Sequence, residues 1–144
     1  MADSRKAPLD DPRINVKLRL AALWASLMFC YVYGDYFGLY VPGKLAGMIA
    51  GRMDPIGPVT QGVLLGTSAM MAVPALMVCL SLLLRASISC WVNLALGLVY
   101  AAIMLMTMPG AWTFYLFFGV IEVALSLAIV WTAWRWPRQV DAQR

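Results

Sequence analysis

The amino-acid sequence predicts an all-α fold: a four-helix transmembrane bundle with both termini on the cytoplasmic side. Three observations carry this. Hydrophobic residues make up 62% of the chain and charged residues 12%, where soluble domains average about 45–50% and about 25%. The apolar residues gather in four segments, each near the ~20 residues that cross a bilayer. The charges stand apart from these segments, with twelve of the eighteen lying in the first 19 or the last ten positions. At 144 residues the chain has room for one domain, placed at residues 18–136.

The first span runs over about residues 18–40 and, past Arg19 at its start, holds one charge, Asp35. Residues 1–17 ahead of it are polar and form a mobile cytoplasmic tail. They lack the short apolar run and small-residue cleavage site of a signal peptide, so the first helix is expected to be retained. A long Gly- and Pro-rich connection follows, with Gly43, Gly47 and Gly51 at every fourth position. Small residues so spaced mark a closely packing helix face and predict a short interfacial helix in this outer loop. The second span covers about residues 59–84. Pro74 lies inside it, where it would kink the helix unless neighbours re-satisfy the freed backbone. The third span, residues 88–108, follows after a short turn containing Arg85. Pro109-Gly110 turns the chain into the fourth span, residues 112–134, which holds one charge, Glu122. Residues 137–144 form a second cytoplasmic tail.

Orientation follows from the basic residues. Nine Lys and Arg lie in the two tails and the turn at Arg85, against Lys44 and Arg52 alone in the other connections. The side with nine is therefore the cytoplasmic one, which places the protein in the cell inner membrane as a multi-pass protein. Trp91, Trp112, Trp131, Trp134, Trp136, Tyr36 and Tyr40 fall near span ends, where aromatic belts form.

The composition excludes much chemistry. There is no His, which removes His-based metal sites, bis-His haem ligation and a Ser-His-Asp triad. Cys30, Cys79 and Cys90 form no C-x-x-C pair and read as small apolar packing residues. No phosphate-cradling glycine motif is present. The basic ends suit a membrane surface. They do not form the basic, aromatic-interleaved stripe of a nucleic-acid site, so no nucleic-acid partner, cofactor or metal is expected, and the bilayer is the principal partner.

Polar residues inside the spans remain. An ionisable group there costs about 2.5–3.5 kcal/mol on insertion scales and is a functional candidate by default. Glu122 stands ten residues from Trp112, about 15 Å along a helix, near mid-membrane. Asp35 stands five residues from Tyr40, about 7–8 Å from the outer edge. Past Arg19 at the very start of the first span, no Lys, Arg or His lies in any span to neutralise Glu122, and burial disfavours its charged form. Helical spacing puts Tyr115, Gly119, Glu122 and Ser126 on one face, and Asn93, Gly97, Tyr100, Met104 and Thr107 on another. The first span aligns Trp24, Met28, Tyr31, Asp35 and Gly38, and the second Thr67, Met71, Pro74, Val78 and Ser81. The candidate intramembrane polar site is thus Glu122, Asp35, Asn93, Tyr115, Tyr100 and Ser126, with Tyr115, Tyr100 or Asn93 as the expected hydrogen-bond partner of Glu122. The same stripes also fit packing seams, with Asn93 bonding across to a neighbour.

The segments K-L-R-L-A-A-L-W with Tyr33-Gly34-Asp35, V-P-A-L-M-V-C-L-S, W-V-N at Asn93, Y-L-F-F-G-V-I-E at Glu122 and V-W-T-A-W-R-W together resemble an uncharacterised family, a domain of unknown function, of small bacterial four-helix membrane proteins. The resemblance runs from Lys17 to Trp136 and implies fold and topology, without a reaction. Where that family often has a basic, Asn-Arg-containing turn before the third helix, this chain has Ser87-Ile88-Ser89-Cys90. A looser likeness, of architecture alone, is to the small multidrug transporter family, in which the essential acid stands on the first helix rather than the fourth. Three function classes follow: an accessory or structural component of a larger membrane assembly; a proton- or cation-linked transporter or channel acting as a homo-oligomer through Glu122; and a lipid- or quinone-handling membrane enzyme.

Overall fold

The computed structural model describes residues 12–53 and 56–137. Among the described residues four helices are long and apolar enough to cross a membrane: α1 (Val16–Gly38), α3 (Gln61–Leu83), α4 (Ala86–Thr107) and α5 (Thr113–Trp134). Their ends lie within two residues of the expected spans. Helix α1 begins two residues early, because Asn15 accepts the Lys17 amide at 2.9 Å and caps the helix there. Asn and Asp side chains satisfy amides that a helix start leaves without partners. Val16 and Lys17, expected in the tail, are therefore helical, while the rest of that tail up to residue 11 and residues 138–144 fall outside the described residues. Thr60 caps α3 in the same way through the Val63 amide.

Helix α1 is the centre of the arrangement. It packs along α3 on one side and α5 on the other, and α4 packs along α5. Helices α3 and α4 barely touch along their lengths, although only Leu84 and Arg85 connect them. The buried core consists of Leu20, Trp24 and Leu27 of α1, Met77 of α3, Tyr100 of α4 and Ile129 of α5. Four of these six, Leu20, Trp24, Met77 and Ile129, lie toward the end that carries Asn15, Ala86 and Trp136. Most of the remaining apolar surface faces outward, including Phe29, Leu65, Leu83, Met106 and Val120, as lipid contact requires. Cys79, expected to pack inside, is exposed on α3.

At the end with the termini, the Lys17 amine donates to the carbonyls of Leu82 and Leu84 at 3.1 and 2.6 Å. The last carbonyls of a helix lack amide donors and carry partial negative charge, so Lys17 ties α1 to the end of α3. The guanidinium of Arg135 lies 4.4 Å from the centre of the Trp131 ring, a cation–π contact at the end of α5.

The first long connection contains the expected short helix, α2 (Lys44–Ile49). Its glycines serve differently from the expectation. Gly43 and Gly51 have φ of +83° and +74°, values that glycine adopts without the steric cost paid by other residues. They bracket the helix, and of the three only Gly47 is buried. A feature absent from the sequence reading follows: strands β1 (Arg52–Met53) and β2 (Gly57–Pro58) pair antiparallel.

Candidate functional site

Two polar groups of side chains occupy the interior, one above the other. The first is centred on Asn93, which is fully buried. Its carbonyl oxygen accepts from the Trp24 indole at 2.6 Å and from the Ser81 hydroxyl at 3.1 Å. Its amide donates to the Ser89 carbonyl at 2.7 Å and to the Ser89 hydroxyl at 3.2 Å. Trp24, Ser81 and Ser89 are each fully buried too. The network joins α1, α3 and α4 where the α3–α4 turn holds those helices together. Every polar group of Asn93 has a partner, which is the condition for a buried amide to be tolerated. Asn93 is thus an interhelical tie and takes no part in the second group. Ser81 was legible on its helical stripe; Ser89, beside the turn, was not.

The second group lies farther from the termini and surrounds a cleft of about 90 Å³. Helix α1 lines it with Tyr31, Gly34 and Asp35, and α3 with Met70 and Met71. Helix α4 supplies Tyr100, Ile103, Met104 and Thr107, and α5 supplies Tyr115 and Glu122. The cleft exists because α3 and α4, held close at their turn, part toward the other end.

The α3 hydrogen-bond ladder is interrupted beside the cleft. Pro74 lies inside α3 and has no amide hydrogen, so the carbonyl four residues earlier, that of Met70, loses its helical donor. The Tyr100 hydroxyl reaches across from α4 and donates to that carbonyl. Its ring meets Trp24 edge-on at 5.9 Å and lies 6.3 Å from Tyr31. Tyr100 therefore connects the Asn93 network to the cleft.

Glu122 is 3% exposed, and that small exposure opens on the cleft. None of its three expected partners bonds to it. Tyr100 is committed to Met70, Asn93 to its own network, and Tyr115 donates to the Thr107 hydroxyl at 3.1 Å. Among the described residues no hydrogen-bond donor engages the carboxyl, and no Lys or Arg lines the cleft. Glycine at position 34 makes the room: a Cβ there would lie 3.9 Å from Glu122 Oε1. Asp35, the following residue, stands exposed at the rim.

Ser126, also a candidate, is excluded from the cleft. It is fully buried at the α4–α5 crossing, and its hydroxyl has no hydrogen-bond partner among the described residues. Gly97 faces it so closely that a Cβ would lie 3.2 Å from the Ser126 carbonyl and 2.8 Å from Val130. The structure thus brings together Glu122, Asp35, Tyr100 and Tyr115, and sets Asn93 and Ser126 apart. Gly34, which spaces the carboxyl from α1, stood in the Tyr33-Gly34-Asp35 segment, but nothing there marked it as the residue that makes room for Glu122. Among the described residues no group of three or more His, Cys, Asp or Glu is arranged to hold a metal ion.

The chain belongs to DUF6326, a family of unknown function, whose sequence profile matches residues 11–143. No curated protein matches the chain, and no solved structure matches it.

Proposed function

We propose that this protein is a small transporter or channel of the inner membrane, acting as a homo-oligomer and linked to proton or cation movement through Glu122. The observation that carries this reading is the Glu122 carboxyl itself, buried beside an open cleft with neither a cation nor a hydrogen-bond donor among the described residues. A carboxyl kept only to hold the bundle together would be expected to have its oxygens satisfied, because an unpaired buried polar group costs about 1–3 kcal/mol. Asn93 exemplifies that arrangement one layer away. Glu122 instead faces space that water or a ligand can enter, which lets it take up and release a proton. The cleft alone does not traverse the bundle, so the reading includes a second copy to complete a path. Both termini are placed in the cytoplasm, in keeping with the excess of basic residues at that end.

The experiment is reconstitution into liposomes carrying an internal pH indicator, under a K⁺ diffusion potential and separately under an outward Na⁺ gradient. Wild type is expected to change the internal pH under at least one gradient, and Glu122→Gln to match protein-free vesicles. Equal rates for wild type, Glu122→Gln and empty vesicles would reject the reading. A fixed partner co-purifying from native membranes alongside that result would favour the accessory role.

A further inference from the structure

We infer that the Glu122 cleft is a binding site for a small organic ammonium ion, a singly charged cation of about four to six heavy atoms. This rests on reading the cleft as a transport site and names its cargo. Charge decides the sign of the ligand: Glu122 lines the cleft with no basic residue beside it, while Asp35 at the rim has Lys44 near it outside the cleft. Glu122 supplies an unpartnered polar group, 3% exposed and directed into the space.

The rest of the lining decides between kinds of cation. Hard metal ions take about six or more oxygen ligands, and this cleft offers mainly rings and thioethers. Tyr31, Tyr100 and Tyr115 bring aromatic surface, and Met70, Met71 and Met104 bring polarisable side chains. The Tyr100 and Tyr115 hydroxyls already donate to Met70 and Thr107, so these two residues offer the cleft ring surface rather than a donor. Aromatic rings beside a carboxylate are the chemistry that holds ammonium groups. Size sets the limit. The cleft of about 90 Å³ matches the volume of about three waters at ~30 Å³ each.

Binding and protonation then exclude one another. The O–H bond of the Glu122 carboxyl breaks, its proton leaves to water, and the ammonium ion takes the place of that proton beside the carboxylate. The titratable groups near Glu122 are Cys30, Tyr31 and Asp35 on α1, Tyr100 on α4 and Tyr115 on its own helix; α3 presents methionines.

The probe is tetramethylammonium chloride, titrated calorimetrically into the full-length protein in lipid nanodiscs. Sodium chloride controls for charge without shape, and tert-butanol for shape without charge. Saturable binding is expected for tetramethylammonium alone, weakening as pH falls. It should release about one proton per cation, read from the dependence on buffer ionisation heat. Glu122→Gln should bind at least about tenfold more weakly, a loss of about 1.4 kcal/mol. If that variant does not fold, the comparison of the three probes on wild type still decides. Equal binding of tert-butanol, displacement by equimolar Na⁺, or absence of binding would overturn the ammonium assignment. With Glu122-dependent pH changes in vesicles, that failure leaves the transport reading standing. Tetramethylammonium binding that requires Glu122, with vesicles silent also under an outward tetramethylammonium gradient, would instead keep the ammonium site and reject transport.

Discussion

The Tyr100 hydroxyl donates to the Met70 carbonyl, the acceptor that Pro74 leaves without a donor. The proline and the tyrosine, on different helices, therefore act as one unit: one opens a gap in the α3 hydrogen-bond ladder and the other closes it. Tyr100→Phe should destabilise the bundle by about 1 kcal/mol, within the range for a carbonyl left unpaired. Pro74→Ala restores an amide at position 74 that can bond to Met70, so Tyr100→Phe should cost little on that background. Unfolding of the four proteins of this cycle in mixed micelles measures the coupling. Additive effects would mean that the two residues act independently.

Asn93→Leu should be among the most damaging single changes in the interior. It leaves the Trp24 indole, the Ser81 hydroxyl and the Ser89 carbonyl without their shared partner. The expected loss is about 2–3 kcal/mol, read from the same unfolding transition. A loss below that of Tyr100→Phe would show that water or relaxation replaces the network.

Gly97→Ala should cost about 1–3 kcal/mol, since overpacking forces neighbours apart. Its Cβ would meet Val130 at 2.8 Å and the Ser126 backbone at 3.2 Å, and backbone cannot rotate away. Gly66→Ala on α3 is the control, with nothing within 4 Å of its added Cβ. Its melting temperature should equal or exceed that of wild type.

Gly34 separates structure from function in the cleft. Alanine there makes an ordinary contact, 3.9 Å from Glu122 Oε1, and should leave vesicle activity largely intact. Leucine fills the space beside the carboxyl and should abolish Glu122-dependent pH changes while the protein stays folded and monodisperse. Full activity in Gly34→Leu would remove the cleft from the transport path.

Orientation is checked with single cysteines introduced after Cys30, Cys79 and Cys90 are replaced. Ile49→Cys on α2 should react with an impermeant maleimide in intact spheroplasts. Ser87→Cys, beside the α3–α4 turn, should react only after permeabilisation. The reverse pattern would overturn the placement of both termini in the cytoplasm.

The sequence by itself determined the number of membrane-crossing helices, their limits to within two residues and most of the face each turns inward, Asp35 and Thr107 excepted. The physical reason is that a bilayer demands about 20 apolar residues per crossing, and helical periodicity then assigns each polar residue to a face. It also placed Pro74 where a neighbour had to answer for the missing amide. The partners of those polar residues were decided by tertiary structure alone. Periodicity left Glu122 able to meet Tyr100, Asn93 or Tyr115. The order of helices around α1 and the parting of α3 from α4 gave Asn93 to Trp24, Ser81 and Ser89, and Tyr100 to Met70. The Gly43–Gly51 repeat was ambiguous for the same reason: four-residue spacing fits a packing face and a helix bracketed by turns equally well, and backbone φ distinguishes them. An unpaired Glu122 beside a cleft belongs to no residue taken singly. It arises from two helices that separate, a glycine that leaves room, and neighbouring donors that are occupied elsewhere.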